Sequence, residues 1–217
     1  MQLNFEQLII PPGHQLLIKA ISWSMYESIL DTLGEHRGTR IHYSQGWLEI
    51  MTPLPEHEDD KVIISNLIEI ILEELDIEFR NLGSTTFKNE AMAQGLEPDI
   101  CFYIQNEVAI RGKKRIDLTT DPPPDLAVEI DITSRTELSH YKVFGIPELW
   151  RFDGKRLEIY LLQANQQYQP AKQSRYLPQL PLIEVIPHYL EQSKQIGRNK
   201  TIKAFRDWVK IQLKRRT

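Results

Sequence analysis

Cysteine is almost absent: Cys101 is the only one in 217 residues. That excludes an intramolecular disulfide and a zinc site built on paired cysteines. No stretch approaches the roughly 18 consecutive apolar residues of a membrane-spanning helix. The opening MQLNFEQL lacks the basic and apolar regions of a secretory leader. A cytoplasmic protein without membrane attachment is the expectation. There is no glycine-rich phosphate loop and no serine nucleophile elbow, which removes two large enzyme classes. Nor is there an internal repeat or a low-complexity linker. The net charge of −4 neither marks nor excludes a nucleic-acid binder, because binding follows local patches.

What is present is an ordinary globular composition, 41% hydrophobic and 26% charged, sufficient for one sizeable core. Met25, Ile29 and Leu33 predict a helix over 22–36 that Gly34 stops. Arg40–Tyr43 and Trp47–Met51 flank a turn at Ser44, Gln45 and Gly46, and so predict a hairpin. Val62, Ile63, Leu67, Ile70, Ile71 and Leu75 step by three or four, giving a long helix over 58–79. Strands are expected over 85–90, 97–104 and 126–132. Ser134 and Glu137 then read as a capping box for a helix that Gly145 ends. ELWRF and RLEIYLL around Asp153-Gly154 predict a second hairpin. Helices follow near 182–192 and 200–214. This order gives an α/β sheet with helices packed against it.

The strand within PPPDLAVEIDITSRT, residues 122–136, carries acid on an otherwise apolar background. Side chains alternate along a strand. Leu126, Val128, Ile130 and Ile132 therefore share one face, and Ala127, Glu129 and Asp131 share the other. In EPDICFYI, residues 97–104, Ile100, Phe102 and Ile104 oppose Glu97, Asp99, Cys101 and Tyr103. Carboxylates on neighbouring strands raise one another's pKa unless something positive lies between them. A hard divalent cation is one such group, and it often uses only one or two carboxylates. A hydrated acidic sheet face is the other reading.

A P-D strand, an acidic residue in an apolar strand and a following helix resemble the PD-(D/E)XK nuclease superfamily. PDICFYI, PPPDLAVEI and YKVFGIPELWRFDG, with GWLEIMTPLPEHE before them, resemble more closely its family of putative restriction endonucleases. The resemblance spans about residues 35–165. It implies a restriction-endonuclease-like mixed β-sheet core flanked by helices, with an N-terminal β-hairpin extension. The expected division is an N-terminal extension with a helix over 1–34, a nuclease-like core over 35–165 and a C-terminal helical extension over 166–217. The implied activity is DNA hydrolysis by a metal-activated water, dependent on Mg²⁺ or Mn²⁺.

Carried over position by position, the resemblance makes Asp99 and Glu129 metal ligands and adds the backbone carbonyl of Ile130. The motif lysine belongs at residue 131, where this chain has Asp131. That lysine normally steadies the attacking hydroxide or the charge on the phosphorane, which an aspartate does not do. Asp131 then reads as an additional ligand, or the protein as an inactive nuclease fold that binds nucleic acid or assists another protein. A cation from elsewhere would restore the chemistry. Lys88 is the first candidate, opposite residues 99–100 if strands 85–90 and 97–104 form a hairpin centred near Ala93 and Gln94. Arg135 and Lys142 are further candidates.

In the wider superfamily an acidic residue of the long helix often joins the metal, which points to Glu58. His57 beside it is a candidate proton carrier or phosphate contact. The rest of the EHEDD cluster suits a helix N-terminus electrostatically. Asp125 reads as a turn or cap residue. Arg111, Lys113, Lys114 and Arg115 form a basic loop between the two acidic strands and are candidate DNA contacts. A homodimer is expected, since paired cutting of a duplex suits a two-fold assembly.

Overall fold

The computed structural model describes residues 8–34, 38–132 and 137–215. In chain order the elements are β1 (Gln15–Ile18), α1 (Trp23–Leu33), β2 (Arg40–Ser44), β3 (Trp47–Met51), α2 (Pro55–Glu74), β4 (Arg80–Asn81), β5 (Phe87–Asn89) and β6 (Gln94–Leu96). They continue with β7 (Ile100–Tyr103), α3 (Glu107–Ile110), β8 (Leu126–Ile130), α4 (Leu138–Val143), β9 (Glu148–Phe152), β10 (Leu157–Leu162), β11 (Tyr168–Ala171), α5 (Leu182–Ile196) and α6 (Arg198–Lys214). No described helix is long and apolar enough to cross a membrane.

Two sheets result. The larger has strand order β11-β10-β9-β8-β7-β4, and the smaller β1-β3-β2-β6-β5. In the larger sheet β8 and β9 are parallel, joined through α4 as a crossover unit, and the other pairs are antiparallel. This is the mixed α/β architecture expected from the sequence. The alternation read along β8 also holds. Leu126, Val128 and Ile130 enter a core with Trp150 and Phe152, packed under α2, α5 and α6. Ala127 and Cys101 face the opposite side with Leu149 and with Tyr141 of α4.

The smaller sheet carries the predicted hairpin, β2 and β3, with β1 added at its edge. One of its faces packs Ile41, Tyr43, Leu48 and Ile50 against Tyr26 and Ile29 of α1. Ser22 caps α1, its Oγ accepting from the Met25 amide at 3.2 Å. Tyr26 stacks on Tyr43 with centroids 4.6 Å apart. Gly95 of β6 allows that arrangement, because a Cβ there would lie 2.0 Å from the Tyr26 hydroxyl.

Several boundaries differ from the sequence expectation. α2 starts at Pro55, a residue suited to a first helical position, and ends at Glu74, as Asp76 takes φ 55. The strand expected over 97–104 begins only at Ile100, while Gln94–Leu96 is a separate strand in the smaller sheet. Pro98 lies between them and cannot donate to a ladder, so the chain changes sheets there. The Glu97 carboxylate secures this crossover, accepting from the Ile41 amide at 3.1 Å and the Thr86 hydroxyl at 2.5 Å. The capping box at Ser134, with Arg135, lies outside the described residues. Beyond residue 165 the chain is not only helical, for β11 completes the edge of the larger sheet before α5 and α6.

Candidate active site

The crossover delivers Asp99 to the mouth of β7. Antiparallel pairing of Ile100 with Val128 sets Asp99 across from Glu129 on the neighbouring strand. The two are joined reciprocally. The Asp99 amide donates to Glu129 Oε1 at 3.2 Å, and the Ile130 amide donates to Asp99 Oδ2 at 3.0 Å. Asp99 is 3% exposed and Glu129 5%, so this is not a hydrated acidic face. Burial first, then the Asp99 charge, pushes the Glu129 carboxyl well above its usual range. The Tyr141 hydroxyl, donating to Glu129 Oε1, opposes that shift.

Two cationic side chains reach Asp99, and a third stands beside Glu129. His57, in the first turn of α2, is buried with Nε2 3.1 Å from Asp99 Oδ2 and Nδ1 3.4 Å from Glu58 Oε1. Burial favours the neutral imidazole, but the two carboxylates outweigh it and raise the His57 pKa to about 9. Glu58 is held down to about 2, chiefly by His57 and with help from Lys61 and Arg40. Arg40, at the start of β2, has Nε 3.6 Å from Asp99 Oδ1 and Nη2 3.1 Å from Glu58 Oε1. Arg151, on β9, stands beside Glu129 in the parallel register. It holds Asp131 through Nε at 2.6 Å and Nη2 at 2.5 Å.

A cavity of about 600 Å³ opens between the sheets, with Asp99 and Glu129 on its wall. Arg40, His42 and Trp47 line it from the smaller sheet, and Asp99, Glu129 and Asp131 from the larger. His140 of α4 adds a further wall, its ring 6.4 Å from that of His42. Burial depresses the His42 pKa to about 4, and His140 is lowered for the same first reason.

The structure thus gathers Asp99, Glu129, Ile130 and Asp131, with His57 and Glu58 behind Asp99. It does not bring Lys88 there. β5 pairs with β6 so that Lys88 lies opposite Gly95, not residues 99–100, and Nζ meets Glu27 at 2.7 Å. The expected hairpin between strands 85–90 and 97–104 does not form: β5 pairs with Gln94–Leu96 instead, and the sheet change at Pro98 carries Asp99 into the other sheet. His57 is 1% exposed, which sets it behind Asp99 and not on an open nucleic-acid surface.

The basic loop joins the two acidic strands but lies away from the acidic pair. It leaves β7 after Tyr103 and enters β8 at Leu126, the strand ends remote from Asp99 and Glu129. Arg111 is paired with Glu107 and Lys113 with Asp121, while Lys114 and Arg115 are exposed. Asp125 has the turn role expected of it, accepting from the Ile104 amide at 2.6 Å and the Asn106 amide at 3.0 Å.

Arg40 and Arg151 were not singled out from the sequence. Arg151 left a signal, a charge alternating with Leu149 opposite Trp150 and Phe152 in ELWRF. Arg40 left none, since only the packing of one sheet on the other brings it to Asp99.

A family model described as Uma2, putative restriction endonuclease, matches residues 23–193. The chain belongs to this family. The Uma2 match begins in α1 and ends in α5, so it includes the hairpin, both acidic strands and the Trp150 strand. Among solved structures, the chain is similar to one described as a putative nuclease belonging to DUF820 from Anabaena variabilis. That likeness has 16% identity and a TM-score of 0.46, over 69% of this chain and 90% of the other. No curated protein matches.

Among the described residues, no group of three or more His, Cys, Asp or Glu is placed to hold a metal ion. Among the groups lining the cavity, Asp99 and Glu129 face one another across neighbouring strands, with Ile130 beside them. Two buried carboxylates face one another here, with burial and the Asp99 charge raising Glu129, and a divalent cation relieves that state. Mg²⁺ commonly takes one or two carboxylates and keeps several waters. The donor chemistry therefore fits a hard divalent ion.

Proposed function

We propose that this protein is a Mg²⁺- or Mn²⁺-dependent endonuclease that hydrolyses phosphodiester bonds in DNA. Asp99 and Glu129 hold the metal with the Ile130 carbonyl, and Arg40 is the cation that serves in the absence of the motif lysine. The observation that carries the reading is the reciprocal, buried Asp99–Glu129 pair on the wall of a cavity, with the Glu129 carboxyl raised by its neighbour. A divalent ion bound there supplies water activation and charge neutralisation at the phosphate.

The protein's own residues do the rest. Tyr141 and the Asp99 amide fix the Glu129 carboxylate, and the Ile130 amide fixes Asp99. His57 restrains Asp99 from the helix side and balances its charge. Arg40 reaches the cavity while anchored by Glu58, so its guanidinium is placed to meet a phosphate oxygen as charge develops there. Asp131 is not an additional ligand in this scheme, because Arg151 pairs with it through Oδ2.

Asp131 in the lysine's place also supports a second reading, an inactive nuclease fold acting as a binding or accessory protein. Cleavage of supercoiled plasmid, with Mg²⁺ or Mn²⁺ and beside an equally folded Glu129→Ala variant, separates the two. Metal-dependent nicking that the variant lacks is the expected result. No nicking by the parent protein, with Mn²⁺ leaving its melting temperature unchanged, would support the accessory reading.

A further inference from the structure

The cavity floor is the face of the smaller sheet that α1 does not cover. The pairs Arg40–Met51, His42–Glu49 and Ser44–Trp47 lie directly across β2 and β3, so each pair shares a face. Alternate residues share that face too, and all six line the cavity holding Asp99 and Glu129. The Arg40 end touches Asp99. Ser44 lies four residues further along β2, roughly 13 Å at the rise of a strand. Trp47 therefore stands a few nucleotide lengths from the acidic pair, on the same floor.

Trp47 is 47% exposed, and Leu17 near it on the same floor is 55% exposed. Trp150 is by contrast fully buried, and Trp23 and Trp208 pack against other aromatic rings. Over the Trp47 indole lies Lys19, with Nζ 4.6 Å from the ring centroid. A large apolar ring with a cation on it, presented to the cavity that holds two carboxylates, has the composition of a base-stacking site with a phosphate contact.

We propose that Trp47 and Lys19 form a stacking subsite for an unpaired base, which makes single-stranded or locally unpaired DNA the substrate. The inference rests on the nuclease reading of Asp99 and Glu129. A base that stacks there takes the lysine's position over the indole, and the flexible stem leaves the ammonium within reach of that nucleotide's phosphate. The acidic pair is almost wholly buried, so the scissile phosphate has to enter the cavity. A volume of about 600 Å³ belongs to the class of pockets that enclose a small ligand. A single strand can turn a phosphate inward while laying a neighbouring base on Trp47. In a duplex the bases are stacked and closed to it.

The test is binding of the full chain, and of Trp47→Ala and Trp47→Phe, to a short labelled oligodeoxythymidylate and to a blunt duplex of the same length. Ca²⁺ replaces Mg²⁺, and equal melting temperatures establish that the variants fold. Trp47→Ala weakens single-strand binding roughly tenfold or more, the scale of one stacked base, while Trp47→Phe keeps most of it. Duplex affinity stays the same for all three. Equal single-strand affinity for the parent and Trp47→Ala, or an equal loss for both DNA forms, overturns the inference. If the parent cleaves no DNA but Trp47-dependent single-strand binding persists, the nuclease reading fails and the subsite stands. If cleavage depends on Glu129 while the Trp47 variants bind and cut single strands like the parent, the subsite alone fails.

Discussion

Arg151 grips Asp131 from the adjacent parallel strand, with Nε at 2.6 Å and Nη2 at 2.5 Å, and both side chains are almost fully buried. The position that carries lysine in the superfamily motif therefore carries the acidic half of an ion pair, and its positive half lies one strand away, beside Glu129. The pair is close to neutral, so Asp131 does not add a third free charge to Asp99 and Glu129.

Removing one partner leaves the other charged and buried. Arg151→Met is expected to destabilise the protein by about 3–5 kcal/mol, measured by urea unfolding. Asp131→Asn combined with Arg151→Met should recover much of that loss, since the double variant leaves neither half of the pair charged and unpaired. Equal stability of Arg151→Met and the parent would show that the pair is not buried as described.

The strand faces were legible in the sequence because burial on alternate positions is local information. Asp99 and Glu129 stand out by that rule, and the structure sets them opposite one another. Which strand pairs with which was not legible. Pro98 falls inside the strand expected over 97–104, yet it is where the chain passes from one sheet to the other, so Lys88 faces Gly95. The remote position of the Arg111–Arg115 loop follows from antiparallel topology: a connection leaves β7 at the end opposite Asp99. The convergence of Arg40 and His57 on Asp99 depends on long-range packing that no local pattern records.

Arg40 is the cation placed between Asp99, Glu58 and the cavity. On the proposed mechanism, Arg40→Ala lowers kcat for DNA cleavage by roughly a hundredfold to a thousandfold, the scale of losing one transition-state contact. Arg40→Lys retains part of the rate, and Lys88→Ala leaves it unchanged. Steady-state cleavage of a labelled oligonucleotide by the three variants checks the order.

The metal-free protein should show a defined pH dependence. His57 has its pKa raised from 6.5 to about 9, so its contribution to stability is complete below about 6.5 and is lost as pH rises through about 9. Glu58 is lowered from 4.5 to about 2, so its contribution is present above about 4.5 and is lost as pH falls through about 2. Both act fully only between about 4.5 and 6.5. Glu129, raised by burial and by Asp99, adds a loss of stability in the alkaline direction. Melting temperatures in EDTA should fall from neutral to alkaline pH, and His57→Gln should flatten that fall without abolishing it. An unchanged slope in the variant would remove His57 from the ion network.

Gly95 is required by contact and not by backbone conformation. An added Cβ would lie 2.0 Å from the Tyr26 hydroxyl, with Tyr26 fully buried under the smaller sheet. Gly95→Ala is expected to cost about 1–3 kcal/mol, as overpacking does, and Gly95→Ala with Tyr26→Phe should cost less. Denaturant midpoints of the two variants decide this.

Calorimetric titration of Mn²⁺ into the full chain tests most directly whether Asp99 and Glu129 together hold a divalent metal, as proposed. The parent protein should bind one or more ions at a site that Glu129→Gln and Asp99→Asn each abolish, with both variants folded. Mn²⁺ binding that survives either substitution, or no Mn²⁺ binding by the parent protein, would contradict the assignment.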